Sequence, residues 1–168
     1  MLAAADAGVR QYQMLGPKSS PANSWEGRDE GPGRTGHDLP AHSNLRLVLP
    51  ARAENVALVR HTVAAAAEER GLPLQMVEDM RLAVTEACTN VVRHAYTDEG
   101  DMEVNVELTG PGMRVVVEDQ GRGIGHSTDS DGPGLGLRLI EALVSELEIE
   151  HGRARGSRLS MRFAIGAA

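Results

Sequence analysis

The sequence predicts an α/β (α+β) two-layer sandwich, with a mixed, mainly antiparallel sheet and helices on one face. Three observations carry this. Apolar and polar residues alternate over short stretches near 44–49, 101–108, 147–151 and 158–165, the period of strands covered on one side. Two longer stretches, 52–70 and about 75–94, instead place apolar residues at steps of three and four. The resulting order is strand, two helices, two strands, helix, two strands. Tight turns between paired strands suit helices stacked on one face better than strict β-α alternation.

Composition bounds the rest. A chain of 168 residues suggests one domain, with room for a tail. Apolar residues make up 41% but aromatics only 2%, so the core must be built from Leu, Val, Ile, Met and Ala. A net charge of -7 and a pI near 5.3 weigh against a general nucleic-acid binder, which needs a basic surface to release counterions. The single cysteine, Cys88, excludes an internal disulfide framework and a cysteine-based zinc site; among apolar helix neighbours it reads as a core residue. No apolar run reaches the roughly 18 residues of a membrane span. The opening Met1-Leu2-Ala3-Ala4-Ala5 is broken by Asp6 and lacks a basic start, unlike a signal peptide. Neither a membrane nor a nucleic-acid partner is expected, and the expected location is cytoplasmic.

Residues 1 to 43 are rich in Gly, Pro, Ser and charge, with Gly31-Pro32-Gly33 and Pro17, Pro21 and Pro40 as breakers. They read as a disordered tail with too little apolar surface to offset chain ordering, and Trp25 within them as incidental. The domain proper spans 44–168. Leu45, Leu47 and Leu49 form a strand stopped by Pro50. Val56, Val59, Val63 and Ala67 mark the first helix, which Gly71 and Pro73 terminate. The second helix packs through Val77, Met80, Val84, Ala87, Cys88 and Val91. At roughly 100° per residue, Glu86 and Asn90 project about 130° from that stripe, with Asp79 on their side. Any amphipathic helix shows outward polar residues, so this face alone decides nothing. Met102, Val104, Val106 and Leu108 form a half-buried strand, Gly110-Pro111-Gly112 a turn, and Met113–Asp119 its partner, whose Val115-Val116-Val117 run implies deeper burial. Leu139, Ile140, Leu143 and Leu147 mark a third helix that gives way to a strand at Leu147, Ile149 and His151. Leu159, Met161, Phe163 and Ile165 form the last strand.

Two glycine-rich loops follow the helix that carries Glu86. Asp119 closes a buried strand just before Gly121 and Gly123. A carboxylate there can accept a hydrogen bond from the exocyclic amine of adenine. Facing the carbonyl of guanine instead would cost on the order of 1–3 kcal/mol or more. Glycines let backbone approach a base without a β-carbon in the way. An ordinary Asp-x-Gly turn is the competing reading. Further on, Gly132, Gly134 and Gly136 lead into the third helix, whose free amides suit phosphate oxygens. Alone, a Gly-x-Gly-x-Gly run is weak evidence. The only lysine, Lys18, lies in the tail, so neither a Walker A loop nor an ordinary protein-kinase core has its lysine. The Rossmann fingerprint fails too, because no Gly-x-Gly-x-x-Gly lies directly between a first strand and its helix.

Taken in order, Glu86-x-x-x-Asn90 with His94-Ala95-Tyr96, Asp119-x-Gly121-x-Gly123 and Gly132-x-Gly134-Leu135-Gly136-Leu137 resemble the GHKL (Bergerat-fold) ATPase family. The resemblance covers about residues 44 to 166. The run Glu-Ala-Cys-Thr-Asn-Val-Val-Arg-His-Ala-Tyr is most similar to the anti-sigma-factor serine kinases of the RsbW type. It implies that Asn90 holds Mg²⁺, that Glu86 is the catalytic base, and that Asp119 reads adenine of ATP. Gly121 and Gly123 would shape the base pocket, and Gly132, Gly134, Leu135 and Gly136 would hold phosphates under a lid at 125–133. His94 lines the pocket or packs at the helix end. The implied partners are a sigma factor and a STAS-domain anti-anti-sigma factor, with a homodimer possible.

The chain departs from that pattern in its lid, where no Arg or Lys lies between Gly125 and Gly132 and Asp129 and Asp131 add negative charge. Arg122 and Arg138 are available substitutes, or simply surface arginines. Two functions are therefore carried forward: a serine kinase and anti-sigma factor, and a non-catalytic ATP-binding module that acts by partner binding alone.

Overall fold

The computed structural model describes residues 11–15, 44–122, 134–151 and 156–165. Strands β1 (Gln11–Leu15) and β2 (Asn44–Pro50) precede helices α1 (Ala53–Glu69) and α2 (Leu74–Asn90). One π-helical turn, Val91–Ala95, extends α2. Strands β3 (Asp101–Thr109) and β4 (Gly112–Asp119), helix α3 (Leu135–Leu143), and strands β5 (Glu146–His151) and β6 (Ser157–Phe163) complete the chain. The six strands form one sheet in the order β1-β2-β3-β4-β6-β5.

Every neighbouring pair is antiparallel, so the mixed character expected of the sheet is corrected: among the described strands none is parallel to its neighbour. The reason lies in the connections. Turns such as Gly110 (φ +56°) return the chain beside itself, and α1 with α2 carries it across the sheet between strands that run oppositely. A second correction concerns the tail. Gln11–Leu15 is not irregular but pairs antiparallel with β2, from Gln11 opposite Val48 to Leu15 opposite Asn44. Its order comes from the open hydrogen-bonding edge of β2, a partner distant in sequence, and not from a local pattern.

Alternation sorts the two faces. Leu45, Leu47, Leu49, Met102, Val104, Val106, Met113, Val115, Val117, Leu159, Met161 and Phe163 point to one side and are buried beneath the helices. The helices answer with Val56, Val59, Val63 and Ala67 from α1, Val77, Met80, Val84, Ala87 and Cys88 from α2, and Ile140 from α3. The outer face carries ion pairs. Arg46 reaches Glu103 in a two-pronged contact of 2.6 and 2.8 Å, and Arg158 reaches Glu118 at 3.0 Å. Val116 and Ser160 are buried on that face, as aliphatic stems of charged neighbours can cover small residues.

Helix ends are set as the glycines suggest. At the end of α1, the Gly71 amide donates to the Glu68 carbonyl and the Leu72 amide to the Ala67 carbonyl. With Gly71 at φ +73°, this is a Schellman motif, and Leu72 tucks into the core behind it. It turns the chain sharply and sets α2 against α1, in the middle of the helical layer. There α2 touches β4, β6 and α3.

Candidate nucleotide site

Position 119 has the same parity as Val115 and Val117, so the Asp119 side chain faces the helical layer. It stands in a row with Leu49, Met102 and Ser157 across four strands. Leu49 and Met102 in that row are fully buried and Asp119 is only 4% exposed, a charged group at the rim of the core. Burial of a carboxylate demands partners. The Gly121 amide donates to Oδ1 at 2.8 Å, and the Ser157 hydroxyl donates to Oδ2 in a short hydrogen bond. A carboxylate offers about four acceptor sites, so these two leave capacity for another donor, such as an adenine amine.

The turn after Asp119 is locked against the end of α2. The Arg122 amide donates to the Ala95 carbonyl at 2.7 Å. A β-carbon at Gly121 would run into that same carbonyl, so glycine is a requirement of close approach here. The Gly156 amide donates to the Gly121 carbonyl at 2.8 Å, and Gly156, at φ +85°, passes against the Asp119 backbone. The π-helical turn supplies the geometry, since it ends at Ala95 and leaves its carbonyl to accept from Arg122.

Glu86 and Asn90 lie one turn apart on α2, half-buried, where α3 begins. A β-carbon at Gly136 would stand 2.9 Å from Glu86 Oε2 and 3.7 Å from both Asn90 Nδ2 and Oδ1. The start of α3 therefore passes directly over the acid and the amide, a polar contact that the apolar stripes do not require. Gly134 is exposed with open space beside it, and Leu135 is exposed, so both face away from the packed layer. Gly123 and Gly132, with the proposed lid at 125–133, lie outside the described residues. His94 is exposed, which removes the packed reading of that side chain.

The site thus has two parts on one scaffold: Glu86, Asn90 and Gly136 where α2 meets α3, and Asp119 with Gly121 where β4 meets the π-helical turn. Sequence reasoning did not assign roles to Ser157, Tyr96 or the Ala95 carbonyl. Ser157 carried a usable signal, because its strand pairs with β4 and places the hydroxyl opposite Asp119. Cys88 stays outside this chemistry. Burial pushes its thiol up to about 12, so it is neutral and inert in the core.

The residues present suit Mg-ATP. Among the described residues no three His, Cys, Asp or Glu side chains converge on a metal position. A magnesium ion would take the Asn90 amide oxygen and draw its other ligands from phosphate and water, the usual habit of that ion.

The histidine kinase-like ATPase domain profile matches residues 49–163, more than half of the chain. The chain belongs to the histidine kinase-like ATPase family. Among its relatives, the serine-protein kinase RsbW of Bacillus mycoides (strain KBAB4) is 34% identical over 123 residues, covering 64% of this chain and 77% of that protein. RsbW of Halalkalibacterium halodurans is 36% identical over 121 residues, covering 63% and 75%. Among solved structures, the RsbU and RsbW domains of Rv1364c from Mycobacterium tuberculosis superpose with a TM-score of 0.60 at 27% identity. The match covers 74% of this chain but 33% of that longer one, so this chain spans a third of its length. Both the family and its RsbW-type kinases agree with the resemblance read from the three motifs. The profile begins at Leu49 and ends at Phe163, the last residue of β6, so β1 lies outside it. Among the described residues no helix is long and apolar enough to cross a membrane.

Proposed function

We propose that this domain is a cytoplasmic serine-protein kinase and anti-sigma factor. It binds Mg-ATP, phosphorylates a serine of a STAS-domain anti-anti-sigma partner, and sequesters a sigma factor, with partner exchange controlled by the nucleotide state. The observation that carries the reading is the passage of Gly136 over Glu86 and Asn90, with the Asp119 carboxylate held by Gly121 and Ser157 on the same scaffold.

Each residue then has a defined task. Asp119 accepts the adenine amine and turns away a purine that presents a carbonyl there. The backbone at Gly134 and Gly136, at the start of α3, faces phosphate oxygens with free amides. Asn90 holds the metal, which supplies charge neutralisation on the phosphates. The Glu86 carboxylate takes the proton of the substrate serine as its oxygen bonds to the γ-phosphorus and the bond to the ADP oxygen breaks.

The direct test incubates the protein with labelled ATP and the STAS protein encoded nearest to it. Label should appear on a serine, and Glu86→Ala should lower transfer by roughly 10²- to 10⁴-fold while ATP binding remains. A wild type that binds ATP yet transfers no label would remove the kinase step. One observation favours the second reading, a non-catalytic ATP-binding module: residues 125–132 hold no Arg or Lys, and Asp129 with Asp131 makes them acidic. In that case Glu86→Ala leaves sigma-factor regulation unchanged.

A further inference from the structure

The Tyr96 hydroxyl makes two hydrogen bonds that join three elements. It donates to the Asp101 carbonyl at 2.6 Å, at the first residue of β3. It accepts from the Gln120 amide at 2.9 Å, one residue beyond Asp119. The ring is half-buried and packs against the core, and a β-carbon on Gly100 would collide with it, so Gly100 leaves the ring its place. Burial pushes the phenol up from its ordinary value, which keeps the proton on the oxygen through the physiological range.

We infer that Tyr96 is a positioning residue for base recognition, rigidly setting the Asp119 carboxylate through the Gln120 amide. The inference rests on the proposed reading of Asp119 as the adenine-binding group. Gly121 and Arg122 are tied to the end of α2 by the Ala95 carbonyl contacts, and Asp119 is tied to β6 by Ser157. Gln120 lies between those two anchors with its side chain exposed, so beyond the passage of Gly156 against its α-carbon its amide needs a restraint. The Tyr96 hydroxyl supplies that restraint. Without it the peptide between the two anchors gains freedom, and the carboxylate that it adjoins loses its defined direction toward an incoming amine.

Tyr96→Phe keeps the ring and removes only the hydroxyl. The test compares ATP with inosine triphosphate, which has the same phosphates but a carbonyl in place of the exocyclic amine. Binding of each to wild type and variant is measured by calorimetry, and transfer to the STAS partner is followed at saturating ATP. The expected result is a three- to tenfold weaker ATP affinity, about the worth of one hydrogen bond. Inosine triphosphate affinity should change less than twofold, so the preference between the two falls, and kcat should hold within about twofold. Gly100→Ala, which leaves Tyr96 intact but displaces its ring, should produce the same base-selective loss; it serves as the second variant if Tyr96→Phe fails to fold. Equal weakening of both nucleotides, or unchanged ATP affinity in a folded variant, overturns the inference. If wild type itself shows no preference for ATP over inosine triphosphate, the assignment of Asp119 fails and this inference falls with it. A wild-type preference that survives in Tyr96→Phe removes the inference alone.

Discussion

Gly136 stands against Glu86 so closely that a β-carbon would come within 2.9 Å of the Glu86 carboxylate oxygen. The atom it meets is the far end of a flexible side chain, not backbone. Gly136→Ala should therefore be cheap for folding, with a stability change below about 1 kcal/mol, since helix propensity even favours alanine. It should be costly for function, because the side chain that yields is the proposed base. Phosphoryl transfer should fall by at least roughly tenfold, as expected of a misplaced catalytic group. Thermal melting together with single-turnover transfer checks the split. A variant with wild-type transfer would show that Glu86 does not need its observed position.

Asp119→Asn tests the other half of the site. The carboxylate accepts from both Gly121 and Ser157, one oxygen each. An asparagine offers a single acceptor oxygen, so one of the two buried donors must lose its partner or meet an amide N–H. That costs about 1–3 kcal/mol of stability. The same exchange turns an acceptor for the adenine amine into a donor, and ATP affinity should fall by more than about tenfold. Asp119→Asn with Ser157→Ala should recover part of the stability, because the unpaired hydroxyl goes too, and none of the affinity. Unfolding in urea and calorimetry with ATP separate the two effects.

Strand alternation made most of the sheet legible: Leu45 to Leu49, Met102 to Val106 and Leu159 to Phe163 are buried as their period implies. The same parity, continued two residues beyond Val117, puts Asp119 on the helix side. Gly71 was legible as a stop because a left-handed residue leaves a local mark. Gln11–Leu15 was not, since its order depends on the edge of a distant strand. Nor was the π-helical turn, because Val91 and Ala95, four residues apart, suit an α-helix equally well. The pairing of Gly136 with Glu86 is a contact across fifty residues, and no local period encodes it.

The outer face of the sheet predicts a pH dependence. Hydrogen bonding from the Arg46 guanidinium, outweighing burial, holds the Glu103 carboxyl below its usual range, with Asn105 assisting. A lowered folded pKa means that the unfolded state binds the proton more readily. The pair therefore stabilises the fold fully above the unfolded value of about 4.3, and this contribution is lost as pH falls through the folded value. Both side chains are partly exposed, so the effect is modest and weakened by salt. Glu103→Gln should melt below wild type at pH 7, and the gap between the two melting temperatures should narrow as pH falls below about 4.3. A gap that does not narrow at all in acid would show that packing of the side chain, and not its charge, is responsible.

All the described site residues lie on β4, α2, α3, β6 and the turns between them, whereas β1 is the edge strand of the sheet and pairs with β2. Removing residues 1–43 should leave the nucleotide site whole, with ATP affinity within about twofold of the full chain, since distant sites without shared partners act independently. The cost should appear at β2. Its backbone donors and acceptors along residues 44–48 would lose their partners on one side, leaving an exposed strand edge that invites pairing with another chain. The shortened protein should therefore exchange the outward amides of β2 faster, and should associate more readily as concentration rises. Hydrogen exchange resolved to β2, with light scattering across a concentration series, measures both. Unchanged protection along β2 would mean that β1 leaves that edge open in solution.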